Sequence, residues 1–149
     1  MQTLYKHLIS VEHPTLCFVG IPVQICPFPQ FDLQIRYFVK LLTGQVQLPT
    51  KAEMCEEIKQ EMEWKKNNLG MPEKHFHKMG ALQWKYNKEI AELGGLKPIS
   101  NGVENLYNAV HERRKTNLPD YKKDSYSLVG EEGFSGNVFL PEKGTYKKI

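Results

Sequence analysis

The feature that most constrains the fold is one short apolar segment, residues 16–21, which reads Leu-Cys-Phe-Val-Gly-Ile and precedes Pro22. Its length and unbroken apolar character are typical of a β-strand buried on both faces of a parallel sheet. Such a strand needs neighbouring strands for its backbone donors and acceptors, and only residues 4–9 suggest another extended piece. We therefore expect the end of a larger α/β protein whose other strands lie upstream of residue 1.

Downstream of this segment the sequence predicts about four helices. The first covers residues 30–42, and its apolar side chains surround most of the helix, so we expect burial on more than one side. Asp32 falls in the predicted first turn, where a carboxylate suits the helix dipole. Thr50-x-x-Glu53 is a capping box that begins the second helix. The other predicted helices cover residues 81–93 and a segment that starts near Asn101.

The chain is divided by composition into three parts. Residues 1–46 hold the predicted strand and first helix, and residues 47–115 form a helical segment. Residues 116–149 are polar and rich in Gly, Pro and Lys, so we expect an irregular tail. The predicted fold class is α/β and mostly helical, with one or two strands before the helices.

Charge and hydropathy exclude several classes of protein. Twenty Lys and Arg against seventeen Asp and Glu give a net charge of +3, too small an excess to indicate a nucleic-acid partner. No apolar run reaches the roughly 18 residues of a membrane helix, and no signal-peptide core is present. Three cysteines without a Cys-x-x-Cys pair favour reduced thiols. We predict a cytoplasmic protein without a transmembrane segment.

Two histidines, His75 and His77, are the nearest approach to a metal motif in the sequence. No carboxylate or cysteine lies near them at the spacing that metal sites use. We therefore predict a loop pair that binds no metal.

Several short motifs follow one another in a specific order along the first seventy residues. They are Leu-Tyr-Lys-His at residues 4–7, Pro-Thr-Leu at 14–16, Phe-Val-Gly-Ile-Pro at 18–22, Pro-Phe-Pro at 27–29, Phe-Asp-Leu-Gln-x-Arg at 31–36, then Gly44, Leu48, Pro49 and Met54. Pro72-x-x-His75-x-His77 and residues 83–95 extend the match less uniformly. This order resembles the C-terminal end of a flavin-containing monooxygenase of the N,N-dimethylaniline monooxygenase type, over about two-thirds of the chain.

The resemblance implies an enzyme with two Rossmann-like dinucleotide-binding domains, one for FAD and one for NADPH. Such enzymes reduce FAD with NADPH, capture oxygen as a flavin hydroperoxide and pass one oxygen atom to a soft nitrogen or sulfur nucleophile. The implied partners are a small nucleophilic substrate and molecular oxygen, and the oligomeric state stays open. Residues 1–46 would form the last strand and helix of the FAD-binding domain. Association with the endoplasmic reticulum is the family's alternative to a cytoplasmic location.

The sequence departs from the family because it contains no Gly-x-Gly-x-x-Gly turn, the motif that lets the backbone approach a pyrophosphate. Gly130, Gly133 and Gly136 have a regular spacing, but they lack the predicted strand and helix that the motif requires. We therefore expect the 149 residues to bind neither FAD nor NADPH alone and to be inactive by themselves.

The resemblance assigns flavin contacts to the end of the predicted strand and to the start of the first helix. Gly20 would allow close approach of the backbone to the isoalloxazine ring, and Gln24 would bond to the ring edge or to the nicotinamide amide. Asp32 would serve as a helix cap rather than as a catalytic acid. We assign no catalytic residue. The predicted cofactor-binding residues are Gly20, Pro22, Val23, Gln24, Phe31 and Asp32.

Two other functions fit parts of the sequence. The capped amphipathic helices after residue 50 also suit a non-catalytic interaction module derived from such an enzyme. A related flavoenzyme that inserts oxygen beside ketones is a third possibility, but the Phe-Asp-Leu-Gln motif at residues 31–34 fits the first family better.

Overall fold

The computed structural model describes residues 4–149 and has two compact units, Met1–Pro98 and Ile99–Ile149. The first three residues of the predicted 1–46 segment lie outside the described residues. Four helices and two small sheets make a mixed α/β fold, as expected. Among the helices of the described residues, none has the length and apolar character that crossing a membrane requires.

The first unit begins with a tight hairpin of two strands, β1 (Leu4–Tyr5) and β2 (Ile9–Ser10), paired antiparallel. The turn between them contains Lys6 and His7, which both have a positive φ of about 50°. Non-glycine residues rarely adopt this conformation, so the surrounding contacts must hold the turn in place. The side chains of the hairpin are buried, and it therefore forms part of the core of this unit.

Three helices surround the hairpin: α1 (Pro27–Leu42), α2 (Lys51–Leu69) and α3 (Leu82–Gly94), with a 3₁₀ turn at Glu73–His75. Helix α1 packs on α3, and α2 packs on β1. The predicted capping box is confirmed, because the Thr50 amide donates to Glu53 at 2.8 Å and the Glu53 amide donates back to the Thr50 hydroxyl. The main apolar core residues of the unit are Leu8, Ile9, Leu33, Tyr37, Met54 and Ile90.

The predicted buried strand at residues 16–21 is wrong. The segment makes one isolated antiparallel bridge, between Cys17 and Ile9, and the Phe18 amide donates to the carbonyl of Leu8 at 2.8 Å. Among residues 4–149 no strand lies on its other side, and Leu16, Phe18 and Val19 are exposed. The left-handed conformation of Gly20 then turns the chain away before a strand can extend.

The second unit contains α4 (Asn101–Thr116), a 3₁₀ turn at Tyr121–Lys123 and three antiparallel strands in the order β3 (Ser125–Val129), β4 (Gly133–Leu140), β5 (Thr145–Lys148). The predicted irregular tail is therefore wrong. Gly130 and Gly144, which suggested loop, have positive φ in the turns that join the strands. Helix α4 begins at Asn101, as expected, and its N-cap is Ser100.

Asp124 joins α4 to the sheet in this second unit. Its carboxylate accepts hydrogen bonds from the Arg113 guanidinium at 2.8 Å and from the backbone amide of Phe139 at 2.7 Å. The Asp124 side chain is fully buried, so these bonds satisfy a charge that would otherwise be costly in the interior.

Candidate functional site

The candidate site is the loop of residues 20–26, which joins the exposed apolar segment to α1. Gly20 begins the loop with φ +84°. A Cβ at this position would lie 3.2 Å from the Phe31 ring, so the close packing of α1 against the loop favours glycine here. The Gly20 amide also donates to the Gln34 side-chain oxygen at 3.3 Å. Helix α1 therefore holds the start of the loop through both an aromatic ring and a carboxamide.

The middle of the loop is held by the segment that precedes α3. Val23 forms a parallel bridge with Lys78: its amide donates to the carbonyl of His77, and its carbonyl accepts from the amide of Met79, both at 3.1 Å. The carbonyl of Gln24 accepts from the Gly80 amide at 3.0 Å. The backbone of the loop is thus fixed from inside, while the Val23 side chain is 53% exposed.

The structure brings most of the predicted cofactor-binding residues together. Gly20, Pro22, Val23 and Gln24 share the loop, and Phe31 packs against Gly20. Their proposed contacts with a flavin stay a prediction.

Asp32 lies apart from this group. Helix α1 begins at Pro27, three residues before the expected start, so Asp32 falls in the second turn and is not a cap. Its exposed carboxylate pairs with Arg36 at 2.8 Å. Pro27 at the first helical position explains the earlier start, since proline is well suited to that position.

The surface of the loop fits one part of the flavin cofactor that the resemblance implies. Phe18, Val19 and Val23 are exposed, and the amide side chain of Gln24 is exposed as well. An apolar surface with a nearby carboxamide suits a flat ring that has polar edges. The chemistry of this surface is compatible with an isoalloxazine ring, and its contact with one stays a prediction.

The same region does not fit the pyrophosphate. A helix N-terminus binds phosphate through free backbone amides, but Pro27 and Pro29 have none. The Cys26 amide is already bonded to the Gln83 side-chain oxygen, at 2.6 Å. Phe28 between the prolines is 82% exposed and apolar. Any group that holds the diphosphate must therefore be sought outside the start of α1.

A buried charged cluster lies beneath the hairpin turn, and sequence analysis did not predict it. The Nε2 atom of His7 lies 2.9 Å from a carboxylate oxygen of Glu61, and its Nδ1 atom lies 2.8 Å from the Nδ1 atom of His77. Because a carboxylate only accepts, Nε2 of His7 carries a proton. Lys65 contacts the same Glu61 oxygen at 2.7 Å and donates to the carbonyl of Phe76 at 2.8 Å.

The electrostatics of the cluster favour a charged Glu61. Burial raises the pKa of Glu61, but the hydrogen bond from His7 and the contact with Lys65 outweigh it and lower the pKa to about 2. Lys6, beside His7, is paired with Glu57 and Glu89. Each lysine of the cluster therefore has a carboxylate partner, and the cluster holds the hairpin turn between α2 and α3.

A pocket of about 310 Å³ borders this cluster, lined in part by His7, Glu61, Trp64 and Tyr86. Burial raises the pKa of Tyr86, so its hydroxyl keeps its proton and donates to the carbonyl of Lys6 at 2.9 Å. The pocket contains acid and base groups that already bond to one another, an arrangement typical of a structural network.

The His75 and His77 pair separates in the structure. His75 is exposed in the 3₁₀ turn, while His77 packs against His7 with ring centroids 5.0 Å apart. Within residues 4–149 no group of three or more His, Cys, Asp or Glu side chains is arranged to hold a metal ion. The four-residue spacing of Glu61 and Lys65 was the one available signal for the cluster, since it places both side chains on one face of α2.

Comparisons with known proteins agree with the order of motifs. The family model described as FMO-like, flavin-binding monooxygenase-like, matches residues 1–104. Flavin-containing monooxygenase FMO GS-OX-like 4 of Arabidopsis thaliana is 31% identical over 131 residues, which cover 86% of this chain and 29% of that protein. FMO GS-OX1 of the same plant is 34% identical over 104 residues, 68% of this chain and 22% of the relative.

A solved structure is also similar. The S-allyl-L-cysteine S-oxygenase of Allium sativum matches with a TM-score of 0.71 and 32% identity, covering 80% of this chain and 27% of that protein. The chain thus spans less than a third of the length of each of these three proteins.

Proposed function

Because the chain belongs to the flavin-binding monooxygenase-like family, we propose that it forms part of an FAD- and NADPH-dependent monooxygenase that oxygenates soft sulfur or nitrogen nucleophiles. The observation that carries the proposal is the loop of residues 20–26, whose backbone is fixed from inside while an apolar and a carboxamide side chain are exposed. When bound, FAD reduced by NADPH supplies the chemistry that activates molecular oxygen. Sulfur is the favoured acceptor, since the similar Allium protein is an S-oxygenase.

The residues of this chain would act by shape and hydrogen bonding. Val23 and Phe18 would cover the ring and keep water away from it, which protects a reactive cofactor from side reactions. Gln24 would bond through its carboxamide to the ring edge or to the nicotinamide amide. Gly20 would keep the backbone close to Phe31 at the start of the loop. Asp32 contributes less to this proposal, because its carboxylate is engaged by Arg36.

We further propose that the 149 residues alone bind neither FAD nor NADPH at micromolar concentration. The sequence has no Gly-x-Gly-x-x-Gly turn, and the prolines at the start of α1 remove the amides that a phosphate would need. Titration of the purified chain with FAD, followed by flavin fluorescence, tests this. A saturable change at micromolar FAD would contradict it.

The proposed activity is tested by exchange of the matched segment. Residues 1–104 of this chain replace the corresponding segment of the Allium S-oxygenase, which supplies the rest of the protein. We expect the chimaera to consume NADPH and to convert S-allyl-L-cysteine to its S-oxide, with the unmodified S-oxygenase as positive control. A chimaera that folds, contains FAD and still oxygenates neither a thioether nor a tertiary amine would refute the proposal.

The alternative is a non-catalytic interaction module. It is favoured by the outer side of α1, where Ile35, Val39 and Leu42 are each about half exposed and would suit a partner surface. The chimaera distinguishes the two functions, because a segment that acts only as an interaction module would not give an active oxygenase.

A further inference from the structure

Two buried glutamines bond to the two ends of the candidate loop. Gln34 on α1 is 0% exposed and accepts the amide of Gly20, and Gln83 on α3 is 1% exposed and accepts the amide of Cys26. Helices α1 and α3 pack on each other, so both carboxamides lie in the interior of the first unit. A polar side chain in such a position costs free energy unless its hydrogen bonds are made.

We propose that Gln34 and Gln83 are positioning residues that clamp the loop of residues 20–26 in the conformation that meets the flavin ring. The proposal rests on the proposed function for its ligand. The clamp itself is defined by the hydrogen bonds of this chain and can be tested without any flavin.

Gln34 connects the loop to the hairpin turn. Its Oε1 atom accepts from Gly20 at 3.3 Å, and its Nε2 atom donates to the Tyr86 hydroxyl at 2.7 Å. The Tyr86 hydroxyl in turn donates to the carbonyl of Lys6 at 2.9 Å. A carboxamide is an uncharged side chain that offers a donor and an acceptor at once, as this chain of bonds requires. The start of the loop is thereby joined to the hairpin turn, in which Lys6 and His7 have positive φ.

Gln83 closes a ring of bonds at the other end of the loop. Its Oε1 atom accepts from Cys26 at 2.6 Å, and its Nε2 atom donates to the carbonyl of Gly80 at 2.9 Å. The amide of Gly80 donates to the carbonyl of Gln24 at 3.0 Å. The side chain of Gln83 therefore ties the segment before α3 to the last residue before α1.

Glutamine at both sites indicates that these side chains position the loop and do not only stabilise the packing of α1 on α3. Apolar side chains would pack α1 on α3 without any desolvation cost, but they would leave the amides of Gly20 and Cys26 without these acceptors. Between the two clamps, Gln24 keeps a left-handed φ of +59° with its side chain exposed. A fixed backbone that presents exposed side chains is the preorganisation that ring binding needs.

The clamp is tested by amide hydrogen exchange of the full 149-residue chain, followed by NMR. The net contribution of such a hydrogen bond, about 1 kcal/mol, corresponds to a change of about fivefold in the opening equilibrium. We expect Gln34→Met to accelerate exchange of the Gly20 amide about fivefold with little change at Cys26, and Gln83→Met to do the reverse. Gln47→Met, at an exposed glutamine, is the matched control.

A purely structural role gives a different pattern. Exchange at Gly20 and Cys26 would then rise together in either variant, in step with the loss of global stability measured by urea unfolding, and this would overturn the proposal. Ile58→Val, a mild core change on α2, shows what that pattern looks like. Unprotected Gly20 and Cys26 amides in the unmodified chain would also overturn it, even if a methionine variant does not fold. Because the assay contains no flavin, its result is independent of the chimaera's.

Discussion

Replacing Glu61 by glutamine tests the buried cluster beneath the hairpin turn. The change keeps the shape of the side chain and an oxygen acceptor but removes the charge that faces His7 and Lys65. Lys65 is only 3% exposed, and without that carboxylate its Nζ atom keeps the carbonyl of Phe76 as its main partner. We expect Glu61→Gln to destabilise the first unit at neutral pH.

The expected size follows from the lowered pKa of Glu61. Against the effect of burial, its contacts lower the pKa from 4.5 to about 2, which at about 1.4 kcal/mol per pKa unit corresponds to about 3 kcal/mol. The Glu61 side chain is 37% exposed, and solvent screening reduces this to about 1–2 kcal/mol. A folded-state pKa below the unfolded value stabilises the protein above pH 4.5, and this contribution is lost as the pH falls from 4.5 towards 2.

Tryptophan fluorescence measures the first unit selectively, because Trp64 and Trp84 are the two tryptophans of the chain and both belong to it. Urea unfolding at neutral pH should show Glu61→Gln less stable than the unmodified chain by about 1–2 kcal/mol, and the gap should close below pH 3. Glu63→Gln removes an exposed carboxylate from the same helix and is the control. An equal gap at all pH values, or the same loss in Glu63→Gln, would refute the reasoning.

Three further changes test separate parts of the structure. Lys65→Met should lower the free energy of unfolding by about 2–3 kcal/mol in the same fluorescence assay, since it leaves buried acceptors without their donor, whereas exposed Lys66→Met should change it little. Gly20→Ala should cost more than Gly44→Ala, by about 1 kcal/mol in urea unfolding: both positions have positive φ, but an added Cβ meets an aromatic ring only at the former. Thr50→Ala should cost about 1 kcal/mol through loss of the capping box, measured by circular dichroism during unfolding, and equal stability would contradict the capping role.

The local signals in the sequence predicted the helices well. Thr50 and Glu53 place the start of α2 correctly, and Gly70, in the left-handed conformation, ends it. The prediction that relied on Asp32 placed the start of α1 three residues too late. Asp32 lies in the second turn, where its carboxylate forms an ion pair with Arg36. Proline at position 27 was the stronger signal for that start.

The apolar segment at residues 16–21 shows why composition alone misleads. Its residues satisfy the pattern of a buried strand, yet within residues 4–149 they form only an isolated bridge, and the Phe18 side chain is exposed. Whether an apolar run becomes a strand depends on partners far away in the sequence, and the run itself carries no information about them. For residues 116–149 the error was the opposite, because we predicted no strands and the structure has three. Gly130 and Gly144 lie in the hairpin turns that join them, and the strands alternate only weakly between apolar and polar residues.

The candidate site was predicted only in part, again because its contacts join residues that are far apart in the sequence. The loop residues follow one another in sequence, so the resemblance could name them together. The contacts that hold the loop join residues 14 to 57 positions apart, as in the bonds of Gly20 to Gln34 and of Cys26 to Gln83. The contact of His7 with His77 spans 70 positions. No local spacing encodes such pairs.

The FAD content of the purified chimaera tests most directly the claim that residues 20–24 form a wall of the flavin site. The chimaera joins residues 1–104 of this chain to the remainder of the Allium S-oxygenase, and FAD is measured by visible absorption after denaturation and compared with protein concentration. We predict stoichiometric FAD, equal to that of the unmodified S-oxygenase prepared in parallel. A chimaera with a cooperative thermal transition but no bound flavin would contradict the account.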